Sequence, residues 1–336
     1  MDKSISVNKS KVIKVIAVFM MVFFHLFAFP NRIKNVHYET LFYTFGIPIE
    51  QLLASFMGIC VSIFLFLSGY GVYKKYGGNF KLRNACTIVK QLYKVYLVVF
   101  VIFVGIGHLI GKYKFNLKEL VLNLLTISNS YNREWWFLNL YILLIITYPL
   151  GCKLVEQLSL RKILIGIFML NFIGMIITKS MLVFKISNVI LKLFSILLGK
   201  QLIFYLGVLI AKHGIFDKWI KKLEISKVTA FIVISIVTAL LIFKIDLPVV
   251  DEYIYMILEI IFIFMLVILI NENSKLIILS KHTTNIWLTH SFFCYHLFQG
   301  ITFYPKYSIL IFICNIILSL ISSIIINYIL KLIHRK

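Results

Sequence analysis

Apolar runs long enough to cross a membrane recur along the chain, separated by short polar connections that hold most of the lysines. About 20 apolar residues cross the hydrocarbon core, and on that scale the pattern predicts ten spans. They fall near 11–30, 50–72, 88–111, 135–155, 161–179, 199–213, 227–245, 252–271, 283–302 and 308–331. The expected fold class is an all-α polytopic membrane protein of about ten transmembrane helices. An even count puts both termini on one side, and Lys and Arg favour that side by roughly two to one, which places both termini in the cytoplasm. The run NVILKLFSILL (188–198) is too short to span with margin and reads as an interfacial or re-entrant helix. LKELVLNLLTISNS (117–130) reads as a second one, on the outer face. No small-residue cleavage site follows the first apolar run, so that run is expected to stay as a helix. The polar connections are too short for a core of their own, and no internal repeat is visible. Residues 1–336 are therefore expected to form a single integral membrane domain, in the cell (cytoplasmic) membrane.

Composition narrows the choice of function. The chain is 61% hydrophobic and 14% charged, which no soluble globular class requires. Its net charge of +22 would suit nucleic acid, but the basic residues lie between spans instead of on one soluble module. Membrane lipids and anionic small substrates are the expected partners, and nucleic acid is not. The five cysteines are scattered without a C-x-x-C, so neither a disulfide framework nor a metal site is signalled.

Several polar residues sit where an apolar span would not place them by chance. In KVIKVIAVFMMVFFHLFAFP (11–30), Lys14 and His25 are eleven positions apart, within ~20° of one another around a helix. The same face thus offers a cation near the cytoplasmic surface and an imidazole ~16 Å further along. An ionisable group inside a membrane is costly, so His25 is either a functional residue or a neutral histidine satisfied by a neighbouring helix. The second span ends in Ser68, Gly69 and Gly71, followed by Lys74 and Lys75. Small residues there allow close approach of a ligand, or of a neighbouring helix. Lys81, Arg83, Lys90 and Lys94 thicken the cytoplasmic patch, with Lys90 and Lys94 on one face at i,i+4. Such a cluster suits a phosphate-bearing donor or anionic headgroups. Trp135 and Trp136 open the fourth span beside Asn132, Arg133 and Glu134, as an aromatic belt or an acceptor site would. Glu259 lies well inside the eighth span and must be protonated or paired. The ninth holds His290 near mid-membrane, with Asn285 and Thr289 within a turn to orient its ring. His296 would lie ~240° from His290 on an α-helix, which rules out a shared metal face.

Order and spacing along nearly the whole chain resemble the membrane-bound acyltransferase family 3, bacterial O-acetyltransferases of surface polysaccharides and related proteins. The family's first helix reads D-x-x-R, ten residues, then H; here Lys11 stands for the acid, Lys14 for the arginine, and His25 matches. FLFLSGY (64–70) is similar to the family's "FFxLSGF", and VKQLYKVY (89–96) loosely to its basic run. Trp136-Phe137-Leu138 matches "W-[FY]-L", and TTNIWLTH, ending at His290, matches "S-Y-x-I-Y-L-x-H". The resemblance implies transfer of an acyl group, acetyl first of all, from acyl-coenzyme A to a hydroxyl of an envelope glycan or lipid-linked sugar. Acyl-coenzyme A is then a co-substrate, and no tightly bound cofactor is expected. It assigns His25 as general base or acyl carrier, and His290 as the group that orients it or stabilises an oxyanion. Lys14, Lys74, Lys75, Lys90 and Lys94 would receive the coenzyme phosphates, with Ser68 and Gly69 lining its approach. Trp136 and Glu259 would face the acceptor. From the residues alone, a glycan transporter with His25, Glu259 and His290 as a proton relay remains the alternative.

Overall fold

The computed structural model describes residues 5–243 and 250–334. The chain runs through α1 (Val7–Phe27), the two-residue strands β1 (Tyr43–Thr44) and β2 (Ile47–Pro48), α2 (Ile49–Met57), α3 (Cys60–Tyr76), α4 (Leu82–Leu109) and α5 (Leu117–Leu124). It continues with α6 (Trp136–Gln157), α7 (Leu160–Val183), α8 (Val189–His213), α9 (Ile215–Leu223) and α10 (Lys227–Ile242). The last elements are α11 (Val250–Leu269), α12 (Thr283–Ser291), α13 (Gln299–Phe303) and α14 (Ser308–His334). The protein is an all-α polytopic membrane protein. Among the described residues, seven helical stretches are long and apolar enough to cross a membrane: Val7–Phe27, Ile49–Asn79, Leu82–Leu109, Arg133–Gln157, Leu160–Val183, Val189–His213 and Ser308–Ile333. Lys227–Ile242 and Tyr253–Leu269 are shorter apolar helices, so length alone does not reach ten. The seventh expected span ends at 244–245, outside the described residues, as do the chain ends at 1–4 and 335–336.

Two expectations from the apolar pattern change. Asn188–Leu198 is not a separate interfacial helix: Val189–His213 is one continuous helix. Lys192 and Lys200 divide the apolar run on paper, but both are exposed, and a helix keeps its backbone bonds while lysine stems reach outward. The span expected at 283–302 is broken. α12 passes into a wide turn at Phe292–His296, closed by Leu297 N–H donating to the Phe292 carbonyl at 2.9 Å, five residues back. Such π-turns add a residue to the helix and recur at functional sites.

Two compact units account for the chain. The first comprises Met1–Phe64 with Gly214–Tyr328. In it α1 packs against α2, α12 and the 3₁₀ run Lys275–His282. Its part of α14 presents the buried polar residues Asn315, Ser319 and Ser323 at intervals of four, one face of the helix. Away from water each needs a partner: Ser319 Oγ donates to Asn315 Oδ1 on the same helix at 3.3 Å, and α12 and its flanks supply the others. Asn315 Nδ2 donates to the His290 carbonyl at 3.3 Å; Asn285 Nδ2 donates to Ser323 Oγ at 2.8 Å and Asn327 Oδ1 at 2.9 Å. This ladder fixes the register of α12, and with it the position of His290.

The second unit comprises Leu65–His213 with Ile329–Lys336. There α3 and α8 meet backbone to backbone. A Cβ at Gly69 would collide with the Phe204 carbonyl oxygen, and one at Gly207 with that of Phe66. α7 and α8 are tied by Asn171 Nδ2 donating to the Gly199 carbonyl at 2.6 Å and Gln201 Nε2 to that of Ile167 at 2.7 Å. Trp135 is buried, edge-on to Tyr96 with ring centroids 4.9 Å apart. It belongs to the interior of this unit and not to an aromatic belt.

Candidate functional site

The first unit brings two of the expected catalytic residues together. His25 lies in the last turn of α1 and His290 in the last turn of α12, and their ring centroids are 5.1 Å apart. His290 is fully buried and His25 half-buried. The His290 Nδ1 lies 2.8 Å from the Trp287 carbonyl and 3.1 Å from that of Ile286, its own preceding turn. Carbonyls only accept, so Nδ1 carries the proton and, in the neutral ring, Nε2 presents a lone pair. This corrects one expectation. Asn285 turns to Ser323 and Asn327, and Thr289 Oγ1 donates to the Asn285 carbonyl, so main-chain carbonyls orient the His290 ring. In this tautomer the neutral His290 presents an acceptor at Nε2, and on taking up a proton there it presents a donor.

Around His25 the chain places residues that its period did not announce. Pro30 opens a single 3₁₀ turn, Pro30–Arg32, directly after α1, which returns Arg32 toward the helix end. The Arg32 guanidinium sits 4.2 Å over the Phe29 ring and donates from Nη1 to Tyr295 Oη at 3.1 Å. Tyr295 Oη in turn lies 3.4 Å from His25 Nδ1. Tyr295 comes from the π-turn, whose extra residue makes the α-helical angle between His290 and later positions inapplicable. Gln299, opening α13, holds the Arg32 turn at two points. Its Nε2 donates to the Arg32 carbonyl at 2.9 Å, and its Oε1 accepts from Lys34 N–H at 3.1 Å.

Lys14 is half-buried on α1, about three turns before His25. Glu259 on α11 accepts a hydrogen bond from the buried Ser62 hydroxyl at 2.7 Å, the kind of partner an intramembrane carboxyl needs. Among the described residues, no three His, Cys, Asp or Glu are grouped to hold a metal ion.

The remaining expected residues belong to the second unit. Lys90 and Lys94 line an open cavity of about 710 Å³ with Thr87, Gln91, Val95 and Leu330, and Lys331 from the end of α14 adds a third cation. Lys74 and Lys75 are exposed at the end of α3, their ammonium groups 5.7 Å and 5.0 Å from the rings of Tyr70 and Tyr76. Ser68 is half-buried on α3. Gly69 is accounted for by the Phe204 main chain that fills its open side, so helix packing and not a ligand explains the missing side chain. Trp136, half-buried, opens α6 beside Asn132, whose Oδ1 caps the turn by accepting from Glu134 N–H at 3.1 Å.

The protein is thus a multi-span helical membrane protein with two histidine rings 5.1 Å apart and tilted by 38° within its apolar helices. A family model described as an acyltransferase domain matches residues 8–330, spanning both units, and the chain belongs to acyltransferase family 3. Comparison with curated proteins and with solved structures gives no match.

Proposed function

We propose that the protein transfers an acyl group, acetyl in the first instance, from acyl-coenzyme A at the cytoplasmic face to a hydroxyl of an envelope glycan or lipid-linked sugar. The observation that carries this reading is the pairing of the His25 and His290 rings, 5.1 Å apart on two helices, in a chain of an acyltransferase family. A sugar hydroxyl at neutral pH is too weakly acidic to attack a thioester unaided and needs a base with a pKa near operating pH. His25 Nε2 takes the hydroxyl proton as the oxygen adds to the thioester carbonyl carbon. The tetrahedral intermediate then expels the sulfur, and the proton returns from the imidazolium to the thiolate, giving ester and free coenzyme thiol. Where donor and acceptor reach the ring from opposite sides, His25 instead carries the acyl group between them. His290, its Nδ1 proton spent on carbonyls, receives a hydrogen bond or the proton in passage.

Lys14, Lys74, Lys75, Lys90 and Lys94 supply charge for the coenzyme phosphates, and Trp136 and Glu259 face the acceptor. For Lys90 and Lys94, the open cavity that they line together with Lys331 supports this assignment. The test is purified protein given radiolabelled acetyl-coenzyme A and an envelope glycan fraction. Label appearing as a base-labile ester on the glycan is expected. Movement of glycan across a proteoliposome without ester formation would overturn the reading in favour of a transporter.

A further inference from the structure

We propose that Tyr295, braced by Arg32, is the positioning residue that fixes the ring of His25 by its Nδ1 edge and so reserves Nε2 for the reacting hydroxyl. This rests on the acyl-transfer reading given above. Arg32 has only donors, so in its 3.1 Å contact Tyr295 Oη is the acceptor. A phenol oxygen has a second lone pair, and His25 Nδ1 lies 3.4 Å from it. For Nε2 to accept a proton from neutral histidine's surroundings, Nδ1 must already hold one, and that N–H needs an acceptor in an apolar setting. Tyr295 Oη is placed to be it.

The surrounding structure reads as a support for that one oxygen. The Arg32 guanidinium lies 4.2 Å from the Phe29 ring centroid and 5.2 Å from that of Tyr295, held between two aromatic faces. Phe29 also stacks with His25, at 6.3 Å and 25° between planes. Gln299 secures the Arg32 turn from one side through the Arg32 carbonyl and Lys34 N–H, and secures the π-turn from the other by donating to the Cys294 carbonyl at 3.1 Å. One side chain therefore fixes both segments whose tips meet at Tyr295 Oη. A tyrosine needed only for packing would not require its hydroxyl to be held by a stapled arginine.

The experiment pairs kinetics with a measurement that needs no turnover. Tyr295→Phe keeps the ring and removes only the oxygen. It is expected to lower kcat at least tenfold, with less than a twofold change in KM for either substrate and an unchanged melting temperature, because a ring free to change tautomer still binds but seldom presents the right edge. Arg32→Lys keeps the charge but loses the planar fork and is expected to fall between the two. In protein labelled with ¹⁵N-histidine, the His25 signals, assigned by their loss in His25→Gln, are expected to show a protonated Nδ1 that Tyr295→Phe converts to a tautomer mixture. An unprotonated Nδ1 in the unaltered protein, or identical spectra and kcat in Tyr295→Phe, would overturn the proposal. The spectra report on the positioning role even if no acyl transfer is found, so failure of one reading is distinguishable from failure of the other.

Discussion

Replacing Gly69 by alanine separates two explanations of one residue: a glycine that lines a coenzyme and a glycine that lets two helices touch. The added Cβ would meet the Phe204 carbonyl oxygen, with the Phe204 carbonyl carbon at 2.9 Å and Val208 Cγ2 at 3.3 Å. The first two are main-chain atoms of α8 and cannot rotate away, so α3 and α8 must part. Overpacking of this kind costs about 1–3 kcal/mol, and a backbone obstacle belongs at the upper end. Alanine returns roughly 1 kcal/mol through its better helix propensity, leaving a net loss of about 2 kcal/mol. The melting temperature in detergent should fall by several degrees. Gly207→Ala should do the same, since its Cβ would meet the Phe66 carbonyl oxygen and would lie 3.0 Å from Tyr70 N. The two glycines serve one crossing, so the double substitution should cost less than the sum of the singles. Fluorescence-detected thermal unfolding reads all three. Unchanged melting in both single variants, or a raised KM for acyl-coenzyme A in Gly69→Ala without loss of stability, would refute the packing argument.

Neutralising Lys90 and Lys94 together should raise the apparent KM for acyl-coenzyme A more than that for the acceptor, with Lys331→Gln acting in the same direction because it lines the same cavity. Added salt should mimic the effect, since exposed charges are screened; equal donor kinetics at all salt concentrations would reduce these lysines to markers of topology. The charge bias also predicts an orientation. A reporter fused after Lys336 should be cytoplasmic and one inserted near Asn116 external, and a terminus found outside would put the lysine cavity on the face without coenzyme.

Some of this was legible in the order of residues. The helical class follows from apolar runs, because a backbone in lipid must satisfy its own hydrogen bonds and helices do so within each segment. His25 and His290 stood out because ionisable groups in apolar runs are rare and costly. Their proximity was not legible, because it depends on how α1 packs on α12. Arg32, Tyr295 and Gln299 were missed for a related reason. Arg32 lies just past the apolar run 11–30, where no period singles out a cation, and the π-turn at Phe292–His296 breaks the period from which a face is counted. Val189–His213 was divided because two exposed lysines lower the apolar count without disturbing the helix. At Gly69 the small residue was visible, but whether helix or ligand fills the space is a fact of tertiary packing.

Whether the imidazole of His25 takes part in acyl transfer is decided by His25→Gln. Glutamine keeps approximate size and hydrogen bonding but takes no proton near neutral pH. With labelled acetyl-coenzyme A and purified protein, its rate should fall by about 10²–10⁴-fold, the usual worth of general acid–base catalysis, while membrane insertion and melting temperature stay unchanged. Lys14→Arg, which keeps the charge on the same helix, should retain activity. A His25→Gln protein that transfers acetyl at a near-normal rate, or loses rate only in proportion to lost folded protein, would contradict the account.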